Sequence, residues 1–180
     1  MSKQNPRTIA ARTVTDLHIR LCGPVSCRAY SIGPVAARLG NTTIVVEDRR
    51  AALSLAAAAI WFEDAADHLG PTFAGRIRNE RPGEGIVSLV PWTGTQTIAD
   101  PHITPAYRVA DGCGTASLTI GHVRITACDR DAATVIADAL ASAYDDATEV
   151  FKRLRPLAAM REFTEARRAV KIARRPVNVR

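Results

Sequence analysis

Aromatic residues make up only 5% of this chain, methionine occurs twice and lysine three times. So few rings exclude a broad stacking surface, and they place Trp61, Phe62 and Trp92 first as core or interface residues. Long apolar runs are also missing. The longest, Leu53 to Phe62, is interrupted by Ser54 and has half of the roughly 20 residues that a bilayer span needs. No apolar stretch follows Lys3, Arg7 and Arg12, so neither a secretory signal nor a membrane anchor is read, and the expected location is the cytoplasm.

Cysteine is sparse as well. Cys22, Cys27, Cys113 and Cys128, without an export signal, are expected to be reduced, metal-free and mostly buried. His18-x3-Cys22-x4-Cys27 offers three zinc-ligand types, but a closed structural site needs four, and the fourth would have to come from distant Cys113 or His102. No metal and no cofactor are therefore expected. The chain contains no G-x-S-x-G, P-loop, H-E-x-x-H or dinucleotide fingerprint, and Gly112-Cys113-Gly114 has no base beside it and reads as a turn. The expectation is a non-enzymatic protein.

Charge is present in quantity but unevenly placed. The net charge is +6, and 21 of the 24 basic residues are arginine, which with abundant alanine reflects a GC-rich coding sequence as much as selection for guanidinium chemistry. Residues 152–180 carry +8 and residues 1–12 carry +3, which leaves −5 for the remainder. An acidic body with basic ends directs the search for an electrostatic site to the termini.

The body repeats itself. Shifting the chain by 81 residues superposes Gly33 on Gly114, Gly40 on Gly121, Ile44 on Ile125, Asp48-Arg49 on Asp129-Arg130 and Asp64 on Asp145, with 11 identities over 37 positions. Gly40-Asn41 and Gly121-His122 sit between short β-rich runs, as type II′ hairpin turns do, which predicts strands over 34–39, 42–47, 115–120 and 123–128. Asp48 and Asp129 stand where helix N-caps belong, each followed by a solvated arginine, a reading preferred to that of catalytic acid–base pairs. Each predicted helix carries one apolar face: Ala52, Leu55, Ala59, Phe62, Ala66 and Leu69, then Ala133, Ile136, Leu140, Ala143, Ala147 and Val150. The other face of the second helix bears Asp131, Asp138, Asp145 and Glu149, a solvated surface or a dock for the basic tail.

Further strands are expected at Thr13–Cys22, Cys27–Ser31, Gly85–Val90, Thr95–Ala99 and Ile103–Val109. The fold class is thus α+β: two units of antiparallel strands followed by a long helix, plus a basic C-terminal helix. The divisions are a basic arm (1–12), the first repeat (13–69), a Pro- and Gly-punctuated linker (70–84), the second repeat (85–155) and the basic amphipathic helix (156–180). In its order of elements, two ββββα units within 13–155, the chain resembles the PUR-domain and Whirly families of single-strand nucleic-acid binders; the duplicated saddle of the TATA-binding protein fits the helix placement less well. This resemblance rests on pattern alone, with no diagnostic motif, and implies a nucleic-acid partner without assigning residues to it.

The tail is the best functional candidate. Pro156 should break the second helix and open a third, with Leu157, Met160, Phe163, Ala166, Val170 and Ala173 on one face. Arg153, Arg155, Arg161, Arg167, Arg168, Lys171, Arg174 and Arg175 are the candidate phosphate contacts. Tyr30 and Tyr107, each near an arginine on a predicted strand, are candidate base-stacking residues. The leading expectation is a single-stranded DNA- or RNA-binding protein, homo-oligomeric and without a membrane role. The alternative is a structural or assembly protein, of phage or mobile-element type, whose C-terminal helix is an oligomerisation arm.

Overall fold

The computed structural model describes residues 17–23, 27–30, 35–72, 88–110, 112–162 and 164–165. The chain order is β1 (Leu17–Leu21), β2 (Cys27–Tyr30), β3 (Val35–Leu39), β4 (Thr42–Val46), α1 (Arg49–Ala66), β5 (Ser88–Trp92), β6 (Ile98–Thr104), β7 (Thr115–Ile120), β8 (Val123–Ala127) and α2 (Arg130–Val150). A third helix, α3, occupies 157–162 and 164–165. The hairpin turns form as the glycines require: Gly40 and Gly121 have φ of +59° and +60°, while Asn41 and His122 keep negative φ.

Two four-stranded sheets result, and each borrows a strand. One has the order β1-β8-β7-β6 and the other β2-β3-β4-β5. β1 pairs in parallel with β8, through Leu17↔Val123 to Leu21↔Ala127, although β8 belongs to the second repeat. Reciprocally, β5 pairs in parallel with β4, through Thr42↔Ser88 to Val46↔Trp92. Pro91 is tolerated because β5 is an edge strand. The helices exchange as well: α2 lies against β2 and β3, α1 lies against β7 and β6, and the two helices pack on each other.

Both helix starts are capped as the repeated aspartates predict, and the same carboxylates clasp the exchanged strands. Asp129 accepts bonds from Ala132 N at 2.8 Å and from Gly23 N, just beyond β1, at 2.7 Å. Asp48 accepts from Arg50 N at 2.8 Å, from Ala51 N at 2.9 Å and from Gly94 N, just beyond β5. The adjoining backbone repeats the pattern, Cys128 N donating to Leu21 O at 2.9 Å and Glu47 N to Trp92 O at 3.0 Å. Gly23 and Gly94 both have positive φ, so a tight turn brings each N–H onto its aspartate.

The core lies between the inner sheet faces and the helices. Val35, Leu39, Ile44, Val46, Trp92, Leu118, Ile120, Val123 and Ile125 meet Leu55, Phe62, Ile136, Leu140 and Tyr144 there, all wholly buried. Each large side chain removed from water contributes about 1.5–3 kcal/mol. Between the helices, alanines such as Ala52, Ala56, Ala59, Ala133, Ala137 and Ala143 supply small buried surfaces that let the backbones approach.

Three local expectations are corrected. Ile103–Val109 is not a strand: β6 ends at Thr104, and Ala106–Arg108 form a 3-10 turn after Pro105. Val150 leaves the apolar face, exposed in the last turn of α2. Arg130 is bonded as well as solvent-facing: its Nε donates to Ala66 O and Leu69 O at 3.3 and 3.1 Å, a cation at the C-terminus of α1, which has none of its own.

Candidate nucleic-acid interface

Side chains alternate across a strand, so the sheets' outer faces can be read from register. On β1-β8-β7-β6 the outward positions are His18 and Arg20, Arg124 and Thr126, Ser117 and Thr119, and His102 and Thr104. They form a bonded lattice: His18 Nε2 with Thr126 Oγ1 at 2.9 Å, Arg124 Nη2 donating to Ser117 Oγ at 3.3 Å, and His102 Nε2 with Thr104 Oγ1 at 3.1 Å. Arg20 Nε donates to Cys128 Sγ at 3.1 Å, and that bond raises the arginine's pKa further. Burial and the neighbouring Cys128 thiol push Cys22 up to about 12, so it remains a thiol. Arg20, Arg124, His18 and His102 are exposed, and none of these outward positions carries a carboxylate.

The equivalent positions on the other sheet are different. Leu89 and Pro91 replace His18 and Arg20, Thr43 and Val45 replace Arg124 and Thr126, and Ala36 and Arg38 replace Ser117 and Thr119. Leu89 is 68% exposed. β2, the counterpart of β6, adds Arg28 opposite Arg38 and Tyr30 opposite Ala36 at outward register positions, and Arg38 donates to Gly40 O at 2.9 Å.

A second basic feature lies at the root of α3. Arg49, Arg153 and Arg155 surround a concavity of about 220 Å³ whose remaining lining includes Leu53, Leu154 and Met160. The link is fixed from below: Tyr144 Oη donates to Arg155 O at 2.7 Å and contacts Met160 Sδ at 3.1 Å, and Leu157 is buried. Burial raises the pKa of Tyr144, which keeps it a donor. Arg153 has φ of +72°, a left-handed conformation that costs a non-glycine residue about 1–3 kcal/mol. Arg49 opens a helix with no acidic residue in its first turn, an arrangement opposed to the helix dipole by about 0.3–1 kcal/mol. A larger concavity of about 440 Å³ is lined by Trp61, Asp64, Asp67, His68 and Ile103, and its carboxylates disfavour an anion.

Of the candidate phosphate contacts, Arg153 and Arg155 are thus brought together, while Arg161 donates to Glu63 of α1 at 3.0 Å. Arg167, Arg168, Lys171, Arg174 and Arg175 lie outside the described residues, as do the 1–12 arm and the side chain of Tyr30, whose backbone pairs with Ala36. Tyr107 is on the 3-10 turn rather than a strand, 80% exposed, with Arg108 Cζ 5.6 Å from its ring centroid. Phe62 and Trp92 are core residues and Trp61 is half-buried. Arg49, Arg20 and Arg124 are basic groups the tail-centred sequence reading passed over. Only the repeat offset of 71 for the exchanged strands, against 81 elsewhere, signals the outward register that gathers Arg20 and Arg124. No protein-family model matches the chain, and neither a curated protein nor a solved structure matches it. Among the described residues no helix is long and apolar enough to cross a membrane, and no group of three or more His, Cys, Asp or Glu could hold a metal ion.

Proposed function

We propose that this is a non-enzymatic nucleic-acid-binding protein that favours single strands, laying the phosphate backbone over the outer face of β1-β8-β7-β6 and holding it with the basic C-terminal segment. The observation that carries this reading is the outward cluster of exposed Arg20, Arg124, His18 and His102, running across the sheet to its β1 edge, where the twin sheet has Leu89 and Pro91 at the matching edge and its arginines, Arg28 and Arg38, on the far strands. Exposed guanidinium and imidazole donors on the sheet suit phosphate and sugar oxygens, with the buried hydroxyls of Ser117 and Thr126 holding Arg124 and His18 in place, and exposed Tyr107 beside the end of β6 offers one ring for a base. Homo-oligomerisation and a cytoplasmic location belong to the same proposal. The rival assembly role finds its support in the apolar outer face around Leu89 and Val45, and in the seating of Leu157 and Met160 on the body.

Fluorescence anisotropy with labelled single-stranded DNA, single-stranded RNA and duplex tests the proposal. Single strands should bind more tightly than duplex, with affinity falling steeply as salt rises from about 50 to 200 mM. Arg20→Ser with Arg124→Ser should weaken binding roughly tenfold or more. Binding that ignores both salt and this double substitution rejects the reading.

A further inference from the structure

We infer that the concavity at the root of α3 is a discrete site for a nucleotide phosphate, with Arg49, Arg153 and Arg155 on the phosphate oxygens and Leu53, Leu154 and Met160 under the attached base. The inference deepens the proposed nucleic-acid role and rests on it only for the identity of the anion.

The internal repeat supplies a control for Arg49. Its twin, Arg130, turns its guanidinium onto the carbonyls that end α1. Arg49 stands at the corresponding place beside the end of α2, yet makes no hydrogen bond or ion pair among the described residues and lines the concavity with Arg153 and Arg155 instead. Three arginines line one hollow, their like charges disfavour one another, and nothing acidic lines it. One local rule is also broken at this place and not at its twin: Arg153 occupies left-handed backbone with φ of +72°. Features that disfavour the free protein and converge on one point are what an anion site leaves behind. A single phosphate would satisfy all three guanidiniums, each through the paired N–H geometry that suits phosphate oxygens.

The apolar part of the lining sets the rest of the ligand. A volume of about 220 Å³ exceeds what a bare phosphate fills, and Leu53, Leu154 and Met160 offer a dry surface to an attached planar group. Tyr144, which bonds Arg155 O from beneath, acts as a positioning residue. An anionic membrane is the rival source of phosphate, but a flat lipid surface rewards spread-out cations rather than three around one hollow.

Calorimetry on the full chain tests the site with adenosine monophosphate, inorganic phosphate and phosphatidylglycerol vesicles, beside a single-stranded oligonucleotide. Adenosine monophosphate should saturate one site about tenfold more tightly than inorganic phosphate, because of the apolar contact. Arg49→Gln should weaken it roughly fivefold or more, with Arg49→Lys in between. Arg153→Gly should also weaken it while raising the melting temperature, a combination that a merely structural arginine would not produce. Equal affinity for nucleotide and inorganic phosphate, vesicle binding without nucleotide binding, or Arg49→Gln and Arg153→Gly proteins that melt cooperatively and bind as the parent does would each overturn the inference. If the oligonucleotide binds the Arg49→Gln protein unchanged, the site falls and the sheet reading stands. Saturable nucleotide binding without oligonucleotide binding does the reverse.

Discussion

Asp129 and Asp48 do the same work in unlike surroundings, and removing each in turn measures what burial adds to a hydrogen bond. Asp129 is wholly buried, and its two oxygens serve Ala132 N and Gly23 N. In Asp129→Ala both N–H groups lose their partner where water does not reach. Loss of the cap costs about 0.5–2 kcal/mol, and stranding a buried donor adds about 1–3 kcal/mol. The sum, about 2–5 kcal/mol, is a large share of the roughly 5–15 kcal/mol that holds an ordinary domain together. Asp48 serves three donors, Arg50 N, Ala51 N and Gly94 N, one more than Asp129, but it is only partly buried, so water can replace it and Asp48→Ala should cost only about 1 kcal/mol. Asp129→Asn should fall between, since one oxygen can still face Ala132 N while the amide nitrogen opposes Gly23 N. Urea titrations of the three variants give the differences directly. Equal losses for Asp129→Ala and Asp48→Ala, or a loss under about 1 kcal/mol for the former, would refute the assignment of Asp129 as a buried double clasp.

Backbone donors from Ala51 and Gly94 hold the Asp48 carboxyl below its ordinary pKa. Its contribution should therefore be complete above the ordinary aspartate range and disappear as pH falls through the folded value, so Asp48→Asn should flatten the acid limb of melting temperature against pH. Gly70→Ala should destabilise the fold by about 1–3 kcal/mol in chemical denaturation, because a Cβ there runs into the Gly112 carbonyl while Gly70 N and O are held by Cys113 O and Arg130 N at 2.8 Å each. Residues 1–83 and 84–180 expressed as separate chains should lack cooperative melting and regain it on mixing, since each unit lacks a strand that the other provides; independent folding of both would contradict the exchange. Cys22, although exposed, should be alkylated by iodoacetamide at pH 8 roughly ten- to a hundredfold more slowly than an ordinary thiol, because the raised pKa cuts the thiolate fraction while the remaining thiolate is more nucleophilic, read by mass spectrometry.

The hairpins and helices were legible because each rests on local chemistry. A Gly with positive φ at the first turn position, an N-cap aspartate and a stripe of apolar residues leave marks within a few residues of where they act. Pro156 marks the start of α3 at 157 as expected, but α2 ends earlier, at Val150, before the left-handed Arg153. The exchange of β1 and β5 is not legible, because these partners are chosen across more than 100 residues for β1 and more than 40 for β5, and nothing in Leu17–Leu21 names Val123–Ala127. The site split along the same line. Arg153 and Arg155 lie in the basic run and were found by charge, whereas Arg49 reaches them only because α1 begins beside the end of α2. Ile103–Val109 looks β-rich and predicts a strand through Tyr107, but Pro105 ends the pairing and the backbone turns.

The duplication itself separates what the fold demands from what it leaves open. Between the two units the inward positions remain apolar, the N-cap aspartates remain in place, and both clasps on the exchanged strands are kept, down to the backbone bonds from Cys128 N and Glu47 N. Packing and satisfied N–H groups account for all of that without any ligand. The differences lie on the surface and at the junctions. One outer sheet face has cations and hydroxyls where the other has Leu89, Pro91 and Val45. The connection after β6 (105–114) is six residues longer than the one after β2 (31–34), and it carries Tyr107 and Arg108. At the helix junctions one arginine binds carbonyls and its twin faces two more arginines. Stability fixes the shared features, so any ligand-specific surface belongs among the unshared ones, and these place Arg20, Arg124, His18 and His102 on the β1-β8-β7-β6 sheet and three arginines at the root of α3, while the β2-β3-β4-β5 sheet has an apolar β5 edge at Leu89 and Pro91 and keeps its arginines, Arg28 and Arg38, on β2 and β3.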